Sequence, residues 1–118
     1  MQDFLNKQET LDRLQKILSI IFKNNRLKVS RSHLGFCTAV KFFTDKYSRD
    51  WNVSHLYYLL EDYFVKEKIS YGIGCHTVKG YWSIIELNEQ PLQFYAKNKL
   101  EALMLAAEEL IKYLGASK

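Results

Sequence analysis

Cys75 and His76 adjoin in the chain, and His33 stands four residues before Cys37. Thiol and imidazole groups are what zinc ligation and thiolate catalysis require. On a helix, His33 and Cys37 would share a face. Cys75 and His76, as neighbours on a strand, point to opposite faces and do not converge on one ion. The chain has no Cys-x-x-Cys and no His-x-x-x-His pair, so no metal and no cofactor is expected. Both cysteines read as small core residues. An activated thiol needs a nearby cation or a helix start, and Cys75 is expected mid-strand on the buried side. The carboxylate pairs Glu61-Asp62 and Glu108-Glu109 fall on polar sides of helices. Gly72-Ile73-Gly74 lacks the third glycine and the following helix of a phosphate cradle. These glycines instead mark a bulge or a close backbone approach. No catalytic constellation is expected, and the chain reads as a binder.

The aromatic set is the most informative feature. Tyr57, Tyr58, Tyr63, Tyr71, Tyr81, Trp82 and Tyr95 gather in the second half. Strand alternation puts Trp82 and Tyr95 opposite the face of Ile85, Leu87, Leu92 and Phe94. Large rings among Gln93, Glu86, Ser70 and His76 have the make-up of a binding surface. The expected anchors are Trp82 and Tyr95, with Tyr58 and Tyr63 beside them; the plainer alternative is that helix one, or a second copy of the chain forming a homodimer, covers that face. Charge is unevenly placed. The net charge is +4, yet through Arg49 ten basic residues stand against four acidic ones. Lys23, Arg26, Lys28, Arg31 and Arg49 are therefore the candidates for an anionic partner, against the plain alternative that they only solvate helix faces.

With 118 residues, 47% hydrophobic and 25% charged, the composition is that of one ordinary globular domain, not a disordered or collagen-like chain. Two cysteines make no disulfide framework and point to a reducing cytoplasm. No apolar run suits a membrane, and the first residues do not read as a secretory signal.

The spacing of Phe4, Leu11, Leu14, Ile17, Leu18 and Ile21 predicts an amphipathic helix from Asp3 to Lys23, ending at Asn24-Asn25. Ser30 or Ser32 would cap a second helix with the stripe Leu34, Cys37, Val40, Phe43 and Tyr47, broadened by Phe36 and Phe42, with Gly35 inside it. Asn52 or Ser54 would cap a third, with Leu56, Tyr57, Leu60 and Phe64 as its stripe. From Ile69 the period changes to two. Strands are expected from Ile69 to His76, Tyr81 to Leu87 and Leu92 to Ala96, with turns at Val78-Lys79-Gly80 and Asn88-Glu89-Gln90-Pro91. Asn98 with Glu101 three residues on has capping-box spacing for a last helix running to Leu114, with Gly115 as its C-cap. The expected fold is a single α+β domain over 1–118, helical over 1–67 and β-β-β-α over 68–118. Its order is α-α-α-β-β-β-α, with one three-stranded antiparallel meander packed by helices on one face.

The α-β-β-β-α order from helix three onward resembles a double-stranded-RNA-binding domain. The run from Phe94 to Ala107 is similar to that family's final strand and Ala-rich helix, with Ala102, Ala106 and Ala107 at the small positions. Leu100 and Leu103 stand where the family carries lysines, with Lys97 and Lys99 nearby. The same stretch resembles small phage proteins of the α-β-α sandwich type. Ser32-His33-Leu34-Gly35-Phe36-Cys37-Thr38-Ala39-Val40 is similar to a Gly-Leu-Cys-x-Ala-Leu run of small phage reading frames. The phage likeness implies a phage or prophage origin and a role in blocking host defence, as anti-CRISPR proteins do. The expected function is then non-enzymatic binding to a host protein or nucleoprotein complex in the host cytoplasm. A double-stranded RNA- or DNA-binding module is the alternative.

Overall fold

The computed structural model describes residues 2–35, 37–46 and 48–116. Helices α1 (Gln2–Leu5) and α2 (Gln8–Ile21) are followed by strands β1 (Lys28–Leu34), β2 (Cys37–Phe43) and β3 (Ser48–Trp51). Helix α3 (Val53–Lys66) leads to β4 (Tyr71–His76), β5 (Gly80–Leu87), β6 (Gln90–Ala96) and the closing helix α4 (Lys99–Ala116). The order is thus α-α-β-β-β-α-β-β-β-α, with two separate three-stranded sheets. The mixture of helix and strand is as expected. The order α-α-α-β-β-β-α with a single meander is overturned. The chain divides into two compact units, Met1–Leu56 and Tyr57–Lys118, each containing one sheet.

The correction lies between Lys28 and Trp51. The segment expected to be a helix is an antiparallel sheet of order β1-β2-β3. Val29, Thr38, Val40, Phe42, Phe43 and Thr44 are β-branched or aromatic types that suit a pleated surface better than a helix. Gly35 adopts φ +64. It sits in the two-residue link of the β1–β2 hairpin, where a left-handed residue is required. Phe36 and Tyr47, assigned to the helical stripe, lie outside the described residues. Val29, Phe42, Val40 and Trp51 share the buried face of this sheet. Phe42 and Trp51 stack there with centroids 4.5 Å apart, and Phe22 meets Phe42 in a tilted pair at 5.2 Å. The α2 stripe of Leu11, Leu14, Ile17 and Leu18 is buried as well. The Gln15 side chain of α2 accepts the Val29 N–H through Oε1 at 3.0 Å.

The first helix is broken at Asn6–Lys7, giving α1 and α2 in place of one element. Lys23, not an asparagine, takes the left-handed position after α2 (φ 53). Asn24 N–H donates to Ser19 O and Lys23 N–H to Ile20 O, the two bonds of a Schellman motif. Helix α3 ends the same way: Lys68 has φ 59, Ile69 N–H donates to Phe64 O, and Lys68 N–H to Val65 O. Asn52 caps α3, its Oδ1 accepting the His55 N–H at 2.9 Å. Asn98 caps α4 by accepting the Glu101 N–H at 2.8 Å. Helix α4 runs on through Gly115 to Ala116, so Gly115 is not its C-cap.

In the second unit β4, β5 and β6 form a meander of that order. The β5–β6 link is Asn88-Glu89, both at positive φ (54 and 64), the signature of a type I′ hairpin. Pro91 lies in β6, an edge strand, where a missing N–H costs no ladder bond. Leu100, Leu103, Ala106, Ala107 and Leu110 of α4 are fully buried, as is Ile85 of the sheet. Ser83 is 1% exposed, and its hydroxyl donates to Ala102 O of α4 at 2.6 Å. Helix α4 therefore covers the face bearing Ser83 and Ile85.

Candidate functional site

The other face of the second sheet is set by register. Gly74 pairs with Trp82 and Trp82 with Tyr95; Gly72 pairs with Ile84 and Ile84 with Gln93. These residues share one side, together with His76, Glu86 and Pro91. The Trp82 indole does not stand off this surface. It lies across the two glycines of β4. A Cβ built on Gly74 would come within 2.4 Å of Trp82 Cζ2, and one on Gly72 would stand 3.5 Å from Cζ3. The pairing runs through both glycines without a bulge. Gly74 serves the close approach, since only hydrogen in place of a side chain gives the ring its seat there, whereas a Cβ on Gly72 would stand in ordinary contact with the ring. Tyr95 stands on the other side of Trp82. It is 41% exposed, and the Lys79 ammonium lies 5.0 Å from its ring centroid. Ile84 is half-buried, and Gln93, Glu86, Pro91 and His76 are exposed. The result is a shallow apolar platform ringed by polar groups.

The other two expected anchors separate from this pair. Tyr58 is on α3 and 64% exposed. Tyr63 is only 6% exposed and packs against Phe64, so its ring fills the interior and is not presented to a partner. Burial, then the Glu67 charge, raises the Tyr63 phenol above its usual pKa. The Tyr71 phenol is also raised, by desolvation and then by its hydrogen bond to Glu61, to whose Oε1 it donates at 3.0 Å.

The basic candidates divide by strand parity. Lys28 pairs with Phe43, and Ser30 with Lys41, on the face of the first sheet opposite Val29 and Phe42. Arg31 and Arg49 belong to the Val29–Phe42 side. The Arg31 guanidinium donates to Asn6 O. Lys23 terminates α2, as described. Arg26 lies beside Asp45, Nη1 to Oδ2 3.3 Å, with both side chains largely exposed. Two adjoining hollows open here. One of about 620 Å³ is lined by Ser30, Lys41, Phe43, Thr44, Asp45, Lys46 and Ser48. The other, of about 410 Å³, is lined by Asn25, Arg26, Lys28, Phe43, Thr44 and Asp45. Sequence reasoning missed Lys41, Phe43 and Lys46 as members of this group, because strand pairing brings Lys41 and Phe43 beside Lys28 and the β2–β3 link carries Lys46 to the same hollow.

The premises for thiol and metal chemistry change too. His33 and Cys37 are not one turn apart on a helix; they lie on β1 and β2 across the hairpin. Cys75 is exposed, not buried. His76 Nδ1 accepts the N–H groups of Val78 and Lys79 at 3.1 and 3.0 Å, so that nitrogen is committed to the turn. Among the described residues, no three His, Cys, Asp or Glu side chains are gathered to hold a metal ion. No helix of the described residues is long and apolar enough to cross a membrane. At the start of α4, Leu100 and Leu103 are fully buried, and the Lys99 ammonium lies over the Tyr57 ring at 4.6 Å. No family model matches the chain, and neither the curated proteins nor the solved structures contain a match.

Proposed function

We propose that this chain acts by binding a protein partner through the Trp82–Tyr95 face of its second sheet, without catalysis. The observation that carries the reading is the Trp82 ring seated on Gly72 and Gly74 with Tyr95 beside it in register. A ring already held close against backbone loses little freedom when a partner covers it, and Trp and Tyr dominate binding energy at protein interfaces. Gln93, Glu86 and His76 supply a polar rim. The partner in this reading is a host protein or nucleoprotein complex. The phage origin and anti-defence role rest on the likeness of the Ser32–Val40 run and of the closing strand and helix.

The test is capture of a partner from host lysate, its identification by mass spectrometry, and titration of the purified partner. Tyr95→Ala and Trp82→Ala, each first checked for folding by circular dichroism, are expected to weaken binding by roughly thirtyfold or more, the scale of an interface hot spot. Equal affinity for a folded Trp82→Ala, Tyr95→Ala double variant removes the proposal. Gripping an RNA duplex through the start of α4 is not supported, because Leu100 and Leu103 are core residues.

A further inference from the structure

A second surface, independent of the Trp82 platform, lies at the Lys28–Phe43–Ser48 end of the first sheet, on the face opposite Val29 and Phe42. Pairing places Phe43 directly between Lys28 on β1 and Ser48 on β3, with Lys41 two residues back on the same strand and face. Phe43 lines both hollows and is half-buried. Arg26, Lys28, Lys41 and Lys46 surround it, and Asp45 is the acid in the lining. Asp45 is already opposite Arg26, in an exposed pair that contributes little and can be exchanged for another anion. Ser30, Thr44 and Ser48 add hydroxyl groups. Both hollows are shallow, and Phe43, Thr44 and Asp45 line the two of them in common.

We infer that this furrow binds a single strand of nucleic acid, with a base stacked on Phe43 and backbone phosphates held by Lys28, Lys41, Lys46 and Arg26. The charge is complementary to phosphate. An aromatic ring among exposed cations on a sheet is the arrangement that holds unpaired bases, which offer a π-face that a duplex hides. The two shallow hollows adjoin through Phe43, Thr44 and Asp45, which suits a chain laid across them more than an enclosed small molecule.

The experiment is fluorescence anisotropy with a labelled oligothymidylate of about twelve nucleotides, within the usual site size of such surfaces. Competitors are the same length of duplex and a base-free polyphosphate. With three net phosphate contacts, affinity is expected to fall about twentyfold between roughly 50 and 200 mM salt. Removing two of them in Lys41→Gln, Lys46→Gln weakens binding and cuts that fall to about threefold. Lys66→Gln, Lys112→Gln, an equal loss of charge on the second unit, leaves the salt response unchanged. Phe43→Leu keeps apolar bulk but removes the ring. It is expected to cost about tenfold in affinity without altering the salt response. Both competitors bind more weakly than the single strand. The inference is overturned by no binding at about 100 µM protein in low salt, the weak end of non-specific association. It is equally overturned by indifference to the Lys41, Lys46 change, or by duplex or polyphosphate competing as well as the single strand, which would mark a general polyanion surface.

Discussion

Gly74→Ala is the sharpest probe of the Trp82 platform. The new methyl carbon would stand 2.4 Å from Cζ2, 2.5 Å from Cε2 and 2.8 Å from Nε1 of the indole, where ordinary contact begins at 3.4 Å. The ring must therefore retreat by about 1 Å along its whole inner edge. An indole is rigid, so the movement tilts it off the sheet. Overpacking of this kind costs about 1–3 kcal/mol. Replacing a strand glycine by alanine returns about 0.5–1 kcal/mol of backbone entropy. The net expectation is destabilisation by about 1 kcal/mol, or roughly 4–8 °C in melting temperature for a unit of this size. Gly72→Ala is the matched control. Its Cβ would meet the Ile84 Cγ2 methyl at 3.1 Å and Trp82 Cζ3 at 3.5 Å. A side-chain methyl can yield by a few tenths of an ångström, so this variant is expected to melt close to the native chain. Thermal denaturation followed by circular dichroism, with tryptophan emission as a second readout, separates the two. Emission should shift to the red in Gly74→Ala as Trp82 lifts into water, while Trp51, 4% exposed, contributes a constant background. A Gly74→Ala chain that melts at or above the native temperature with unchanged emission would refute the seating of the ring.

Three further outcomes are expected. Ser83→Ala removes the buried hydroxyl that ties β5 to Ala102 of α4 and should cost about 1 kcal/mol in urea unfolding; an unchanged midpoint would mean the bond contributes nothing. Lys68→Gly relieves a left-handed lysine at φ 59 and should stabilise by about 1 kcal/mol, so a lower melting temperature would contradict the Schellman ending assigned to α3. Tyr57, Tyr63 and Tyr71 are each raised above 10.0, by desolvation first. A phenol that ionises later when folded gives stability that is complete below the unfolded value and is lost as pH climbs through the raised one. Phenolate absorbance should lag that of free tyrosine in the native chain, and melting temperature should drop on the alkaline side of 10.0; tyrosines that all titrate together, with no drop, would exclude the effect.

The second unit was legible because its strands keep a clean period of two. Tyr71, Ile73 and Cys75, like Tyr81, Ser83 and Ile85, alternate with the opposite set, and Asn52 and Asn98 announce the helices on either side. Opposing Trp82 to Ile85 needed only that alternation. Its seating on Gly72 and Gly74 needed the register as well, although the glycines already signalled a close approach. The first unit misled because Leu34, Cys37, Val40 and Phe43 recur every three residues, a spacing that a helix would use. The β-branched and aromatic content around them, and a glycine inside the supposed helix, argued for a hairpin and carried less weight than periodicity. The error hid the basic furrow, since Lys28, Lys41 and Phe43 meet only across paired strands. Tyr63 is buried while Tyr58, five residues earlier on the same helix, is exposed, a difference of helix face that proximity in sequence does not show.

The bond from Val29 N–H to the Gln15 side chain has a consequence for how the protein behaves in company. A border strand with free amides invites a foreign strand to zip alongside it, which is how folded chains begin to clump. Here an amide oxygen borrowed from a helix occupies one of those rungs in advance. Gln15→Leu would leave the helix largely as it is and unlock that rung, so the variant should stick to itself at concentrations where the native chain stays dispersed.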